Sequence, residues 1–131
     1  MKKTALLHAG LSQLVATLGH GDAVVVADAG LPVPAGTPCI DLAVTRGVPS
    51  FWQVLDALLS EMQVEHALHA EEWLQHGPQL VQQVRDRLAP APLAQLPHAE
   101  FKARCRGVRT IVRTGECTPY ANLMLFSGVV F

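Results

Sequence analysis

The sequence predicts a single α/β domain with a mixed β-sheet flanked by helices. Apolar runs typical of buried strands alternate with stretches whose apolar residues recur at helical spacing. The most apolar run, from Ala23 to Ala27, is too hydrophobic for an exposed strand and fits one that is buried on both faces. No helical pattern separates the last two predicted strands, which favours a sheet that is not purely parallel.

Length and composition limit the classes of protein to which this chain can belong. Its 131 residues fit one domain, residues 1–131, because a chain of this size buries about two-thirds of its unfolded surface. Only 16% of the residues are charged, against about a quarter in an ordinary soluble domain, so we expect some apolar surface to meet another subunit. The formal net charge of -1 gives no electrostatic reason to expect nucleic acid or an anionic membrane as a partner.

The cysteines favour a reducing compartment. Cys39, Cys105 and Cys117 are odd in number and far apart, which argues against a disulfide framework and a structural zinc. The opening residues resemble a secretion signal, but polar residues from His8 onward interrupt the apolar stretch. No apolar run reaches the ~18 residues of a membrane span. We therefore expect a cytoplasmic protein without a membrane partner.

Two helices are predicted in the first half of the chain. The first pattern runs from Leu7 to Leu18, and Gly19 stands where a left-handed C-terminal cap falls. Prolines and glycines between Gly30 and Pro38 then predict an ordered loop. A second helix is predicted to begin at Ser50, because Ser50 and Gln53 have capping-box spacing and an apolar face follows them.

The middle of the chain is less regular. We favour a strand from Gln63 to Ala70, where alternate residues share a face, although a helix over the same stretch stays open. Pro78 suits the first turn of a helix that ends before Pro90. The proline-rich stretch from Ala89 to Pro97 is interpreted as a surface connection, and a short helix is predicted from His98 to Cys105.

The remaining segments are predicted to be extended. Further strands are predicted over Cys39 to Val44, Val108 to Arg113 and Tyr120 to Phe126. The apolar terminal segment from Val129 to Phe131 is expected to dock against the protein.

An imidazole and a carboxylate flank the first predicted strand. His20 follows the first helix, whose partial negative charge at the C-terminus favours imidazolium and prepares the ring to donate a proton. Asp28 directly follows the strand, where functional side chains often lie. The alternative is that His20 is an ordinary surface or capping residue and Asp28 an ordinary turn former.

A second polar pair lies near the C-terminus. Tyr120 and Asn122, two residues apart at the start of a predicted strand, are expected to point the same way. Asn offers a donor and an acceptor for hydroxyl groups, and the Tyr ring can pack against the C–H face of a sugar. The alternative is that these residues merely open a strand.

Other combinations of residues predict little chemistry. His66 and His69 point to opposite faces of a strand, and their spacing does not match a zinc-protease helix, so no metal site is expected. Cys117 lies in a loop with no identifiable base, which favours an incidental thiol over a nucleophile. The glycines form neither a phosphate-binding loop nor a dinucleotide fingerprint.

Four stretches of the chain carry a family resemblance: Gly19 to Asp22, Asp28 to Pro32, Gly47 to Phe51 and Gly115 to Asn122. Together and in this order they resemble the D-ribose pyranases of ribose utilisation systems. The resemblance extends over nearly the whole chain and is loosest between Trp73 and Leu96.

The resemblance implies an enzyme that interconverts the pyranose and furanose forms of D-ribose, supplies the furanose to a ribokinase and needs neither cofactor nor metal. It also implies a ring-shaped homo-oligomer, a decamer of two pentamers, with sites near subunit boundaries. By the same resemblance, His20 is the proton donor. The positions that it assigns to sugar binding or orientation are Asp28, His98, Tyr120, Ala121 (through its backbone) and Asn122.

The implied chemistry suits these side chains, because opening a cyclic hemiacetal requires only proton transfers. We hypothesise that Asp28 orients His20 or stabilises its charge, with Asp22 as the rival partner and His98 as a second proton-transfer group. Two alternatives remain: a mutarotase of the fucose type, and a sugar-binding regulatory subunit without turnover.

Overall fold

The computed structural model describes every residue from Met1 to Phe131. The helices are α1 (Ala9–Thr17), α2 (Phe51–Leu59), α3 (Trp73–His76), α4 (Pro78–Leu88) and α5 (His98–Arg104), followed by a 3₁₀ turn over Cys105–Gly107. The strands are β1 (Ala23–Ala27), β2 (Cys39–Asp41), β3 (Val64–Ala70), β4 (Leu93–Leu96), β5 (Thr110–Arg113) and β6 (Leu123–Ser127). None of the helices is long and apolar enough to cross a membrane.

The six strands form one mixed sheet in the order β2-β5-β1-β6-β3-β4. β6 runs antiparallel to its neighbours β1 and β3, and the other paired strands are parallel. The carboxyl ends of five strands and the start of β6 therefore share one edge, which we call the carboxyl edge. The opposite side, where β1 and β3 begin and β6 ends, is the amino edge. The mixed sheet confirms the predicted fold class.

Each face of the sheet covers a separate apolar core. Val24 and Val26 of β1 pack with α1, α2 and α4 in the larger core, whereas Val25 and Ala27 pack with Phe101 of α5 in the smaller one. The three valines are 0% exposed. Burial on both faces is the reason that β1 reads as a continuous apolar run.

The local signals for α2 and α4 are confirmed. The Ser50 hydroxyl accepts from the Gln53 N–H at 3.1 Å, and the Gln53 side chain accepts from the Ser50 N–H at 2.9 Å. Pro78 occupies the first turn of α4. The strand interpretation of residues 63–70 is also confirmed, over Val64–Ala70.

The first helix ends within one residue of the predicted Leu18, but the predicted left-handed cap at Gly19 is wrong. α1 ends at Thr17, Leu18 caps it with an extended backbone (φ -69°), and Gly21 rather than Gly19 has a positive φ, of 80°. Leu7 lies before the helix and is 70% exposed. The apolar spacing continued past both helix ends, so periodicity alone overstated its length.

The interpretation of residues 89–97 as a surface connection is wrong. This stretch contains β4, an edge strand that pairs in parallel with β3. Only Leu93 and Leu96 of this strand are buried, while Ala94 and Gln95 are exposed. Four residues between prolines with no period-two pattern carry too weak a local signal for a strand.

The apolar C-terminus does not dock against its own chain. Val129, Val130 and Phe131 are 47%, 83% and 102% exposed. These three residues, which we call the terminal tail, lie at the amino edge, because β6 ends there.

Candidate active site

Asp28 and Asn122 form a paired polar centre at the carboxyl edge. The Asn122 amide nitrogen donates to the Asp28 carboxylate at 2.8 Å, and the Asp28 backbone N–H donates to the Asn122 amide oxygen at 2.9 Å. The Gly30 N–H donates to the other carboxylate oxygen at 2.9 Å. Asn122 is 1% exposed, so this pairing orients a half-buried carboxylate from within the protein.

Tyr120 and Asn122 do not lie on a strand, contrary to the prediction. Tyr120 has φ +64°, and the Asn122 N–H donates to the Tyr120 carbonyl at 2.7 Å. The Ala121 N–H donates to the Thr118 carbonyl at 3.3 Å. The three residues therefore form a tight turn before β6, an unusual backbone for a bulky residue and one that often marks functional sites.

His98 packs beside this turn. Its ring meets the Tyr120 ring edge-on with centroids 4.9 Å apart and stacks on Phe101 at 6.4 Å. Burial lowers the pKa of His98, and the charge of Lys102 lowers it further, while Glu72 and Asp28 raise it. The ring is therefore predominantly neutral at pH 7, and its Nδ1 atom is buried without a hydrogen-bond partner.

Two residues at this edge were not assigned to the site from the sequence. The Glu72 carboxylate accepts from the backbone N–H of His98 at 2.9 Å. The His76 ring lies 5.1 Å from the Tyr120 ring, centroid to centroid. Glu72 follows the end of β3, a position that could have indicated it, whereas nothing in the sequence points from His76 to Tyr120.

A cleft of about 370 Å³ opens beside Asp28 and is lined by residues 28–30 and 116–119. The Glu116 carboxylate accepts from the N–H groups of Cys117 and Thr118 at 2.9 and 2.8 Å. The Ala29 N–H donates to the Glu116 carbonyl at 2.8 Å. These bonds hold the wall of the cleft against the end of β1.

His20 lies at the other side of the molecule, on the amino edge. Its Nε2 atom is 2.9 Å from a carboxylate oxygen of Glu65, at the start of β3. The five residues of β1 lie between His20 and Asp28, and they alone span about 13 Å between the first and last Cα atoms. Within one chain, the partner of His20 is thus Glu65. Asp28 and Asp22, the partners expected from the sequence, have other contacts.

The histidines of β3 face opposite sides of the sheet. His66 stacks on Phe126 of the smaller core at 4.2 Å, whereas His69 is buried and lies edge-on to Trp73 of the larger core. No group of three or more His, Cys, Asp and Glu side chains is arranged to hold a metal ion. The Cys117 thiol donates a hydrogen bond to the carbonyl of Gly115 at 3.5 Å.

The carboxyl edge therefore brings together a fixed carboxylate, an amide, a phenol and a neutral imidazole, and a small cleft opens beside the carboxylate. This set offers both donors and acceptors together with an aromatic ring, which suits a small neutral molecule rich in hydroxyl groups. The amino edge offers an imidazole paired with a carboxylate, a group able to transfer a proton.

The chain belongs to the RbsD / FucU transport protein family, whose profile matches residues 1–130. A protein named D-ribose pyranase from Paracidovorax citrulli is 54% identical over 131 residues, covering all of both chains. Another of that name, from Laribacter hongkongensis, is 48% identical over the same full length. The resemblance inferred from the four sequence stretches is thus confirmed.

Solved structures also match this chain over its full length. The structure of Bacillus subtilis RbsD complexed with D-ribose matches with a TM-score of 0.96 and 39% identity, covering all of both chains. The fucose mutarotase from Streptococcus pneumoniae, in complex with L-fucose, matches with a TM-score of 0.74 at 23% identity, again over both full chains. The second likeness bears on the fold alone.

Proposed function

We propose that this protein is an isomerase that interconverts the pyranose and furanose forms of D-ribose. The observation that carries the proposal is its full-length similarity, at about half of all positions, to relatives named D-ribose pyranase. The polar groups of the carboxyl edge support it, because they suit a small polyol. The product is a furanose ready for a kinase that phosphorylates ribose.

The reaction requires only proton transfers. Opening the pyranose breaks the bond between C1 and the ring oxygen O5, which gains a proton, while the anomeric hydroxyl loses one and becomes the C1 carbonyl. Closure of the furanose forms a bond from O4 to C1, and the two protons move in the opposite sense. Because no electron leaves the sugar and no group is transferred, acid and base groups suffice. Such groups typically give ~10²- to 10⁴-fold acceleration.

Residues at the carboxyl edge are assigned to sugar binding. Asp28, oriented by Asn122, accepts from sugar hydroxyls, and the Tyr120 ring packs against the sugar while its phenol bonds a further hydroxyl. Ala121 contributes through its backbone. His98, kept neutral by burial, is suited to accept the proton of the anomeric hydroxyl.

His20 is assigned as the acid that protonates the ring oxygen. Since it lies on the amino edge of its own chain, it reaches the sugar only in an assembly where the amino edge of one copy faces the carboxyl edge of another. A complete site therefore combines the sugar-binding groups of one subunit with His20 of its neighbour.

The assembly is proposed to be the ring implied by the family resemblance, a decamer of two pentamers. The terminal tail supports an interface at the amino edge, because it exposes apolar side chains beside His20 in a cleft of about 510 Å³. Burying that surface against a second copy would stabilise the assembly through the hydrophobic effect.

A cytoplasmic location is part of the proposal. Cys39, Cys105 and Cys117 are all free thiols, as expected in a reducing compartment. Burial raises the pKa of Cys105 to about 11, which makes that thiol unreactive.

Saturation-transfer NMR on D-ribose tests the function directly. We expect the protein to accelerate exchange between pyranose and furanose resonances, His20→Ala to lose most of the acceleration while still binding ribose, and the control His66→Gln to retain it. Line broadening without faster exchange would instead indicate a sugar-binding regulatory subunit. Faster exchange of L-fucose than of D-ribose would indicate a mutarotase of the fucose type.

A further inference from the structure

The pairing of His20 with Glu65 assigns a role to a residue that is not among the sugar-binding positions. We propose that Glu65 is a positioning residue, which holds the His20 ring so that Nδ1 is the nitrogen that exchanges its proton with the sugar. This inference rests on the proposed function of His20 as the acid.

The geometry of the pair supports this role. The His20 Nε2 atom and the Glu65 carboxylate are 2.9 Å apart, a distance typical of a charge-assisted hydrogen bond. A carboxylate on one ring nitrogen fixes the orientation and the tautomer of an imidazole, so the other nitrogen becomes the reactive one. With Nε2 occupied by Glu65, Nδ1 is the atom left to face a ligand.

The backbone that carries Glu65 and the backbone that carries His20 are both well defined. Glu65 lies in a β-bulge, since the pairing of β3 with β6 shifts register between Val64 and His66. Bulges re-aim side chains and often occur next to active sites. Gly128 packs so closely against Glu65 that an added Cβ would lie 3.2 Å from the Glu65 Cβ.

The turn that carries His20 is fixed from two sides. The Gly19 N–H donates to the Asp22 carboxylate at 2.8 Å, and the Gly21 N–H donates to the Ser127 carbonyl at 2.8 Å. The Ser127 N–H in turn donates to the Asp22 carbonyl at 2.9 Å. β6 thus ties the His20 turn to the strand beside the Glu65 bulge.

The other carboxylates near His20 have different partners. Asp22 bonds the Gly19 N–H and lies 3.6 Å from the Arg109 guanidinium. Glu61, which lines the same cleft as His20, bonds Lys2 and Thr4. Glu65 is therefore the carboxylate available to the imidazole of His20.

The test measures sugar exchange and the state of the His20 ring in the same variants. Exchange of D-ribose and ribose affinity are measured for Glu65→Ala and Glu65→Gln, with Asp86→Asn as the control that removes an exposed carboxylate on α4. Proteins labelled with ¹⁵N at histidine report which nitrogen of His20 carries the proton. His20→Ala serves to assign the signals.

We expect Glu65→Ala to reduce exchange about tenfold or more with ribose affinity unchanged, and to remove the preference for the Nε2-protonated ring. Glu65→Gln keeps a hydrogen-bond acceptor and should restore part of the exchange and of the tautomer preference. Asp86→Asn should behave as wild type. If Glu65→Ala is poorly folded, Glu65→Gln alone decides by its intermediate exchange and tautomer preference.

Wild-type exchange in Glu65→Ala, or an unchanged His20 tautomer, would overturn the positioning role and leave the proposed function intact. The opposite case is also distinguishable. If the wild-type protein does not accelerate exchange, the proposed function fails, and the ¹⁵N spectra still decide whether Glu65 fixes the ring.

Discussion

Asn122 stabilises the protein as well as the site, because its side chain satisfies the buried N–H of Asp28 and orients the Asp28 carboxylate. Leaving a buried donor unsatisfied costs about 1–3 kcal/mol. We expect Asn122→Ala to lower the free energy of unfolding by about that amount and to weaken ribose binding about tenfold. Chemical denaturation and calorimetric titration measure the two effects.

Gln95→Ala, which removes an exposed amide from β4, is the matched control and should change neither quantity. Full ribose affinity in Asn122→Ala would show that Asp28 is held in place by other groups, contrary to the geometry described above.

The buried His69 and the half-buried His98 make stability depend on pH. Burial lowers the pKa of His69, outweighing the hydrogen bond to Ala70, and burial also lowers the pKa of His98. The folded protein thus binds these protons less tightly than the unfolded chain, in which the histidine pKa is 6.5. Their stabilising contribution is complete above that pH and is lost as the pH falls below it.

We therefore expect the Tm to fall when the pH is lowered from about 7.5 to about 5.5. His69→Gln, whose amide can still donate to the Ala70 carbonyl, should flatten this dependence. A Tm that stays constant over the interval, or a slope unchanged in His69→Gln, would contradict the assignment.

For individual residues, the sequence indicates candidate chemistry but not geometry. The amide of Asn122 and the phenol of Tyr120 indicate hydroxyl recognition by residue type alone. The partner of His20 could not be found in this way, because Glu65 is 45 positions away along the chain. The positive φ of Tyr120 could not be predicted either, because the surrounding structure imposes it on a residue that disfavours this conformation.

At the scale of elements, two loops are joined at Gly115. Its N–H donates to the Pro49 carbonyl at 2.8 Å, and its carbonyl accepts from the Gly47 N–H at 2.6 Å. A Cβ on Gly115 would come closer than 3.0 Å to backbone atoms of Thr45 and Val48. The close approach of these loops therefore requires glycine.

We expect Gly115→Ala to push the loops apart, to lower the Tm by several degrees, and to weaken ribose binding, because Glu116 at the cleft is displaced with it. Gly107→Ala is the control, since a Cβ there meets nothing within 4 Å. Thermal melts and titration compare the two variants. Equal behaviour of the two would show that the loops tolerate separation.

Elements with local signals were predicted, and those that depend on distant partners were not. α2 follows from Ser50 and Gln53, which cap it within one turn. β4 exists because its four residues pair with β3 and bury Leu93 and Leu96. That stabilisation comes from a strand 23 residues or more away and leaves little local pattern.

At the scale of the whole molecule, the sheet separates the two halves of the site. The groups that we propose to bind the sugar lie at the carboxyl edge and His20 lies at the amino edge, so a single copy cannot use both on one sugar. The sequence places His20 and Asp28 close together along the chain, but a strand between them carries them to opposite edges.

We propose that a complete site takes its acid from one subunit and its sugar-binding groups from another, and mixing two inactive variants of the chain tests this sharing. We expect chains with His20→Ala or His98→Ala each to lose most of the acceleration. After unfolding and refolding together in equal amounts, about a quarter of the sites should regain both intact halves. Exchange of D-ribose, measured by saturation-transfer NMR on oligomers verified by native mass spectrometry, should recover to about that fraction of the wild-type rate. Mixed oligomers that remain as inactive as either parent would contradict the shared site.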